Sequence, residues 1–111
     1  MAVEQNFTIR RGRTSTIVVT VTGISTWTGL VAKLFASENF EDSSPTLVLT
    51  GTVDAVLNTV TFALTNAATK DITVTQLYYE ITIYKADKSY LKDSNYGLIY
   101  IAPVVKEDPT I

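Results

Sequence analysis

Acidic side chains are the first candidates for chemistry, because paired carboxylates can act as general acid and base or bind a hard cation. They form two groups, Glu38 with Glu41 and Asp42, and Glu107 with Asp108. Both groups lie in segments whose composition predicts solvated loops or a tail. Surface calcium binding is the alternative use, although the aspartate spacing does not match an EF-hand loop. We therefore expect no catalytic residues and no metal ligands.

The residue types that usually carry catalysis are missing, since the 111 residues include no cysteine and no histidine. The sequence thus lacks disulfides, thiolate nucleophiles, the commonest metal ligand and the commonest general base. The scattered glycines form no phosphate-binding loop. We predict a protein that is not an enzyme and has no cofactor. An enzyme that works with carboxylates, lysine or tyrosine alone is a remote alternative.

A basic triplet near the amino terminus is a candidate contact with a partner. Arg10, Arg11 and Arg13 surround Gly12, where a turn between two strands is expected. A solvated hairpin tip explains these charges at least as well as an anionic partner does.

Tyrosines are the second candidate for binding, because aromatic rings on a sheet can anchor a protein interface or stack on sugars. All six lie between positions 78 and 100. Period-two alternation places Tyr78 and Tyr84 opposite the inward-facing Ile81 and Ile83. Packing across a wet sheet face is the simplest explanation, a subunit interface is the next, and carbohydrate binding is the last. Tyr78, Tyr84 and Tyr100 join the three arginines as predicted interface residues.

The composition bounds the size and the class of the protein. Hydrophobic residues make up 46%, charged residues make up 18%, and the net charge is −2. This apolar content suits one packed core, and the charge offers no general attraction to nucleic acid or to a membrane surface. We predict one domain over residues 1–104, followed by a carboxy-terminal tail or linker over residues 105–111.

The elements that position these side chains are mainly strands, because the 18 threonines and the many valines, isoleucines and tyrosines favour a pleated sheet. Alternation predicts strands at residues 6–10, 14–22, 30–37, 46–52, 56–65, 77–86, 89–91 and 96–102. The last two are separated by a polar loop at 92–95, and the strands at 46–52 and 56–65 form a hairpin around residues 54–55. A short helical turn near 67–72, capped by Asn66, is the one helix expected. About seven short strands predict an all-β sandwich of two sheets, with a small barrel as the alternative.

Several segments, in order, resemble the immunoglobulin-like domains of tailed-phage and prophage virion proteins, including the amino-terminal domain of baseplate upper proteins. These segments are FTIRRGRT at 7–14, TWTGL at 26–30, VTFALTNAAT at 60–69, LYYEITI at 77–83 and YGLIYIAPV at 96–104. The sequence departs from the family where Thr26 and Trp27 replace an aspartate that commonly precedes Leu-Thr-Gly.

This resemblance implies an immunoglobulin-like sandwich and a structural role in the tail or baseplate of a virion assembled in the host cytoplasm. It implies contacts with other tail proteins and homo-oligomers in the assembly, and it transfers no active-site residue. A carbohydrate-binding or adhesin module is the alternative function, motivated by the tyrosines and Trp27.

Overall fold

The computed structural model describes residues 3–39 and 45–104 and confirms the predicted all-β sandwich. These residues form nine strands and one short helix, arranged as two facing sheets. The predicted tail at 105–111 and the acidic residues Glu41, Asp42, Glu107 and Asp108 lie outside the described residues. Glu38 is described, and its side chain is exposed.

The larger sheet has six strands in the spatial order β1/β2, β9, β8, β4, β5, and the smaller has the order β3, β7, β6. The six are β1 (Val3–Glu4), β2 (Phe7–Arg10), β4 (Val31–Ser37), β5 (Leu47–Thr50), β8 (Gln76–Tyr84) and β9 (Leu91–Ala102). The three are β3 (Ser15–Thr20), β6 (Thr52–Asp54) and β7 (Thr59–Leu64). β1 and β2 run parallel to β9, whereas every other pair is antiparallel. This order is that of an immunoglobulin-like sandwich.

The core lies between the two sheets and follows from the period-two alternation of each strand. Leu34, Phe62 and Ile81 are fully buried near its centre. Because the sequence has no cysteine, packing of aliphatic and aromatic side chains between the sheets stabilises the sandwich without a disulfide.

The predicted strand at 46–52 is in fact two strands that belong to different sheets. β5 pairs with β4, β6 pairs with β7, and Gly51 lies between them. A Cβ atom at Gly51 would collide with Val60 Cγ1 and would lie 2.9 Å from Phe62 Cε1, so the chain can cross here only without a side chain. Alternation could not show this crossing, because the pattern does not depend on which sheet a strand joins.

The hairpin between β6 and β7 is confirmed, but its turn is longer than predicted. The turn covers residues 55–58, and Val56 is 89% exposed rather than part of a strand. Asp54 Oδ1 accepts hydrogen bonds from the backbone N–H groups of Val56 at 3.0 Å and Leu57 at 3.1 Å. This side-chain bonding stabilises a turn in place of the first three residues of the predicted strand, 56–58.

The predicted loop at 92–95 is wrong, because these residues belong to the continuous strand β9. Thr82 pairs with Asp93 and Ile81 pairs with Asn95, so Ser94 is an extra residue in a β-bulge. The Thr82 hydroxyl donates to Asp93 Oδ1 at 2.9 Å, and Asn95 is buried. Pairing with β8 therefore outweighs the low strand propensity of this polar segment.

The single helix, α1 (Asn66–Thr69), is shorter than predicted, and Asn66 is not its cap. Thr65 occupies the N-cap position, and no described side chain caps the helix. Thr69 is fully buried, and its hydroxyl accepts a hydrogen bond from the Gly12 N–H at 2.8 Å. This contact anchors the helix to the turn between β2 and β3.

Candidate functional site

The solvent-facing side of the larger sheet, called here the outer face, carries the main concentration of exposed aromatic side chains in the described residues. Tyr78, Tyr96 and Tyr100 are 37%, 45% and 39% exposed. Together with Phe35 and Leu98 they form what we call the aromatic patch.

Strand register places these side chains next to one another. Tyr78 of β8 lies directly opposite Leu98 of β9, and Glu80 lies opposite Tyr96. Directly opposed side chains have Cβ atoms about 5 Å apart, and diagonal neighbours are about 7–8 Å apart. Tyr78 is therefore a diagonal neighbour of both Tyr96 and Tyr100.

The patch extends over β9, β8 and β4, and Phe35 of β4 pairs with Glu80 on one side and with Val48 of β5 on the other. Glu80 thus lies between two aromatic residues. Burial raises the pKa of its carboxyl group, and the nearby negative charge of Asp93 raises it further. A carboxylate among apolar side chains loses hydration when a partner covers it. Glu80 therefore contributes more to the orientation of a partner than to its affinity.

The predicted interface residues do not all meet. Tyr78 and Tyr100 belong to the aromatic patch, whereas Tyr84 lies six residues farther along β8, about 20 Å away. Tyr84 pairs instead with Val31 and Leu91 at the other end of the sheet.

The basic triplet is divided in the same way. Arg10 pairs with Ala102 at the end of β2, two residue pairs beyond Thr8 and Tyr100 and on the same face, so it borders the patch. Its side chain is exposed. Arg11 and Arg13 belong to the turn that follows, and both are half-buried.

Arg11 lines an open cleft of about 360 Å³ together with Lys70, Asp71, Ile72, Thr73 and Val104. Its Nε atom is buried and finds no hydrogen-bond partner among the described residues. Two cations and one carboxylate line this cleft, which gives it no clear preference for an anion.

A polar cluster that joins the buried side chains of Tyr79 and Asn95 to the exposed residues Gln5 and Asn6 supports the patch from behind. The Tyr79 hydroxyl donates to the Gln5 carbonyl at 2.5 Å, and Asn95 Nδ2 donates to Gln5 Oε1 at 3.2 Å. At the next residue, the side-chain oxygen Asn6 Oδ1 accepts a hydrogen bond from the Leu98 N–H at 2.9 Å, as a backbone carbonyl does in a regular ladder. These bonds join β1 and β2 to β9 and fix the strand that carries Leu98 and Tyr100.

Gly97 is required at this junction. A side chain on it would collide with the Gln5 carbonyl oxygen and would lie 2.7 Å from Asn6 Oδ1. Its φ of 151° is also a value that residues with a side chain rarely adopt.

Trp27 has a structural contact that explains its position. Its half-buried ring packs against the core, and its indole N–H donates to Asn58 Oδ1 at 3.1 Å. It therefore joins the loop after β3 to the β6–β7 turn.

Sequence reasoning missed three members of the patch, Phe35, Tyr96 and Leu98. A usable signal was present, because Tyr96, Leu98 and Tyr100 share a face by alternation. Phe35 could not be assigned from sequence, since its proximity depends on the pairing of β4 with β8.

Comparison with known proteins adds no relative: no family model matches the sequence, and no curated protein matches it at a significant level. The described residues contain no group of three or more side chains suited to hold a metal ion. They also include no helix long and apolar enough to cross a membrane.

Proposed function

We propose that this chain is a non-enzymatic structural protein of a phage or prophage virion, a tail or baseplate component that acts through protein–protein contacts. The observation that carries the proposal is the aromatic patch on a rigid sheet, with Arg10 at its border. The ordered resemblance of the sequence segments to virion domains supplies the virion context. The protein then acts in the virion after assembly in the host cytoplasm.

The chemistry of the patch suits a protein partner. Tyrosine and phenylalanine supply large contact areas, and they are enriched at the centres of interfaces. Their strands are fixed by ladder hydrogen bonds, so little backbone entropy is lost on binding. Glu80 and Arg10 add charges that select the orientation of the partner.

Incorporation into particles tests this proposal. The tagged full chain is expressed in the host together with the tail genes of its own genome, and assembled particles are purified and probed for the tag. We expect the chain in particles, and we expect at least about a tenfold loss for the Tyr96→Ala/Tyr100→Ala variant, because large interface aromatics dominate binding energy.

Val18→Ala is the matched control, because Val18 is 52% exposed and lies on β3 of the other sheet. Absence of the unaltered chain from particles, or equal incorporation of the patch variant and the unaltered chain, would contradict the proposal.

Carbohydrate binding is the second candidate, favoured by three tyrosines that present exposed rings on one flat face. A glycan array probed with the full chain distinguishes it. Binding lost in Tyr96→Ala/Tyr100→Ala and retained in Val18→Ala supports this function, and absence of binding to every glycan rejects it.

A further inference from the structure

One edge of the outer face carries a negative and a positive side chain, and both are placed by pairing with β9. Glu4 of β1 pairs with Tyr96, and Arg10 of β2 pairs with Ala102. Both side chains are exposed. The six-residue separation corresponds to about 20 Å along the strands. The midpoint lies between the outward-facing side chains of Leu98 and Tyr100.

We propose that the outer face is self-complementary and that a second copy of this chain occupies it in antiparallel orientation. The two-fold axis lies in the plane between the two outer faces and runs perpendicular to the strands. It passes between Leu98 and Tyr100. This rotation places Glu4 of each copy against Arg10 of the other. It also places Leu98 of each copy against Tyr100 of the other. This inference rests on the proposed function in one respect: both use the aromatic patch as a contact surface.

A second copy fits because one rotation satisfies both the apolar centre of the face and the pair of opposite charges at its edge. Isologous interfaces require each residue and its counterpart to match after a two-fold rotation. Here the apolar side chains lie beside the axis, and the opposite charges lie at equal distances on either side of it. A parallel arrangement would not pair them, because a two-fold axis along the strands keeps each charge at its own level and never brings Glu4 of one copy to the level of Arg10 of the other.

The size of the face sets the expected strength. Four to five strands at about 4.8 Å spacing and about 20 Å along them give roughly 400–500 Å² in projection. Stable interfaces bury about 800 Å² per partner. We therefore expect a reversible dimer that dissociates in the micromolar range.

Sedimentation velocity of the full chain over a concentration series tests the dimer. We expect Leu98→Glu to leave only monomer, because it places an unpaired carboxylate against the apolar centre of the interface. Val18→Glu is the matched control and should retain the dimer, since Val18 lies on the opposite side of the sandwich. Circular dichroism melting verifies that both variants fold.

Charge reversal tests the antiparallel register. Arg10→Glu alone and Glu4→Arg alone should each raise the dimer dissociation constant at least about tenfold, because both symmetric contacts become repulsive. A mixture of the two single variants should form a heterodimer, since every contact is then between opposite charges. The double variant should also recover the homodimer.

The inference is overturned by a chain that stays monomeric at millimolar concentration, by a dimer that survives Leu98→Glu, or by charge variants that fail to associate when mixed. A monomer whose incorporation into particles still depends on Tyr96 and Tyr100 rejects self-association and leaves the proposed function standing. A dimer that is absent from particles supports the inference and contradicts the proposed function.

Discussion

Single hydrogen-bonding residues behind the outer face determine where its edge strands lie. Tyr79 faces the core, its ring centroid is 5.6 Å from that of Phe7, and its hydroxyl reaches the backbone of Gln5. The same side chain thus contributes apolar packing and fixes the break between β1 and β2.

Tyr79→Phe separates these two contributions, because it keeps the ring and removes the hydroxyl. We expect a loss of about 1 kcal/mol in the free energy of unfolding, the usual net value of one hydrogen bond. Tyr100→Phe is the control and should change stability by less than about 0.5 kcal/mol, since its ring is 39% exposed. Urea denaturation measures both, and equal losses would argue against the role of the Gln5 contact.

Tyr79 also predicts a loss of stability in alkali. Burial raises the pKa of its hydroxyl to about 12. An unfolded tyrosine has a pKa of about 10. The folded state holds the proton more tightly, so this stabilisation is complete below pH 10 and is lost as the pH rises towards 12. Melting temperatures of the unaltered chain and of Tyr79→Phe should converge over this range, and curves that stay parallel would contradict the expectation.

At the scale of elements, the sequence predicts strands well and the partners of strands poorly. The alternation in β3, β4, β7 and β8 places their buried residues correctly, because one face of each strand is in the core. It fails at Gly51 and at residues 92–95, where pairing between distant segments decides the structure. The division of the predicted interface residues has the same cause, since the distance from Tyr84 to Tyr100 depends on register.

The crossing between β5 and β6 makes Gly51 the most sensitive position of this part of the sandwich. Gly51→Ala would force a methyl group against Val60 and Phe62. We expect a loss of about 1–3 kcal/mol, the usual range for overpacking. Thermal denaturation checks this value against Thr50→Ala, an exposed neighbour that should lose less than about 1 kcal/mol. A Gly51→Ala loss no larger than this control would show that the core relaxes around the methyl group.

At the scale of the whole molecule, the sandwich is completed by its first and last strands. The Leu98 N–H and Asn6 Oδ1 are joined across 92 residues of sequence. β2 also contributes Ile9, which is 4% exposed, to the core. The amino-terminal segment is therefore part of the folded unit, and the outer face depends on it.

Two truncations should differ sharply for this reason. Among the described residues, removing residues 1–4 takes away only Val3 and Glu4, whose side chains are exposed. This truncation should lower the free energy of unfolding by less than about 1 kcal/mol. Removing residues 1–10 deletes Phe7 and Ile9 and exposes one edge of β9, which should cost more than about 3 kcal/mol or prevent folding. Thermal unfolding at low protein concentration, where the dimer is dissociated, compares the two. Equal melting temperatures would mean that β9 is stable without its parallel partner, and that the edge charges at Glu4 and Arg10 lie on a segment that can detach from the sheet.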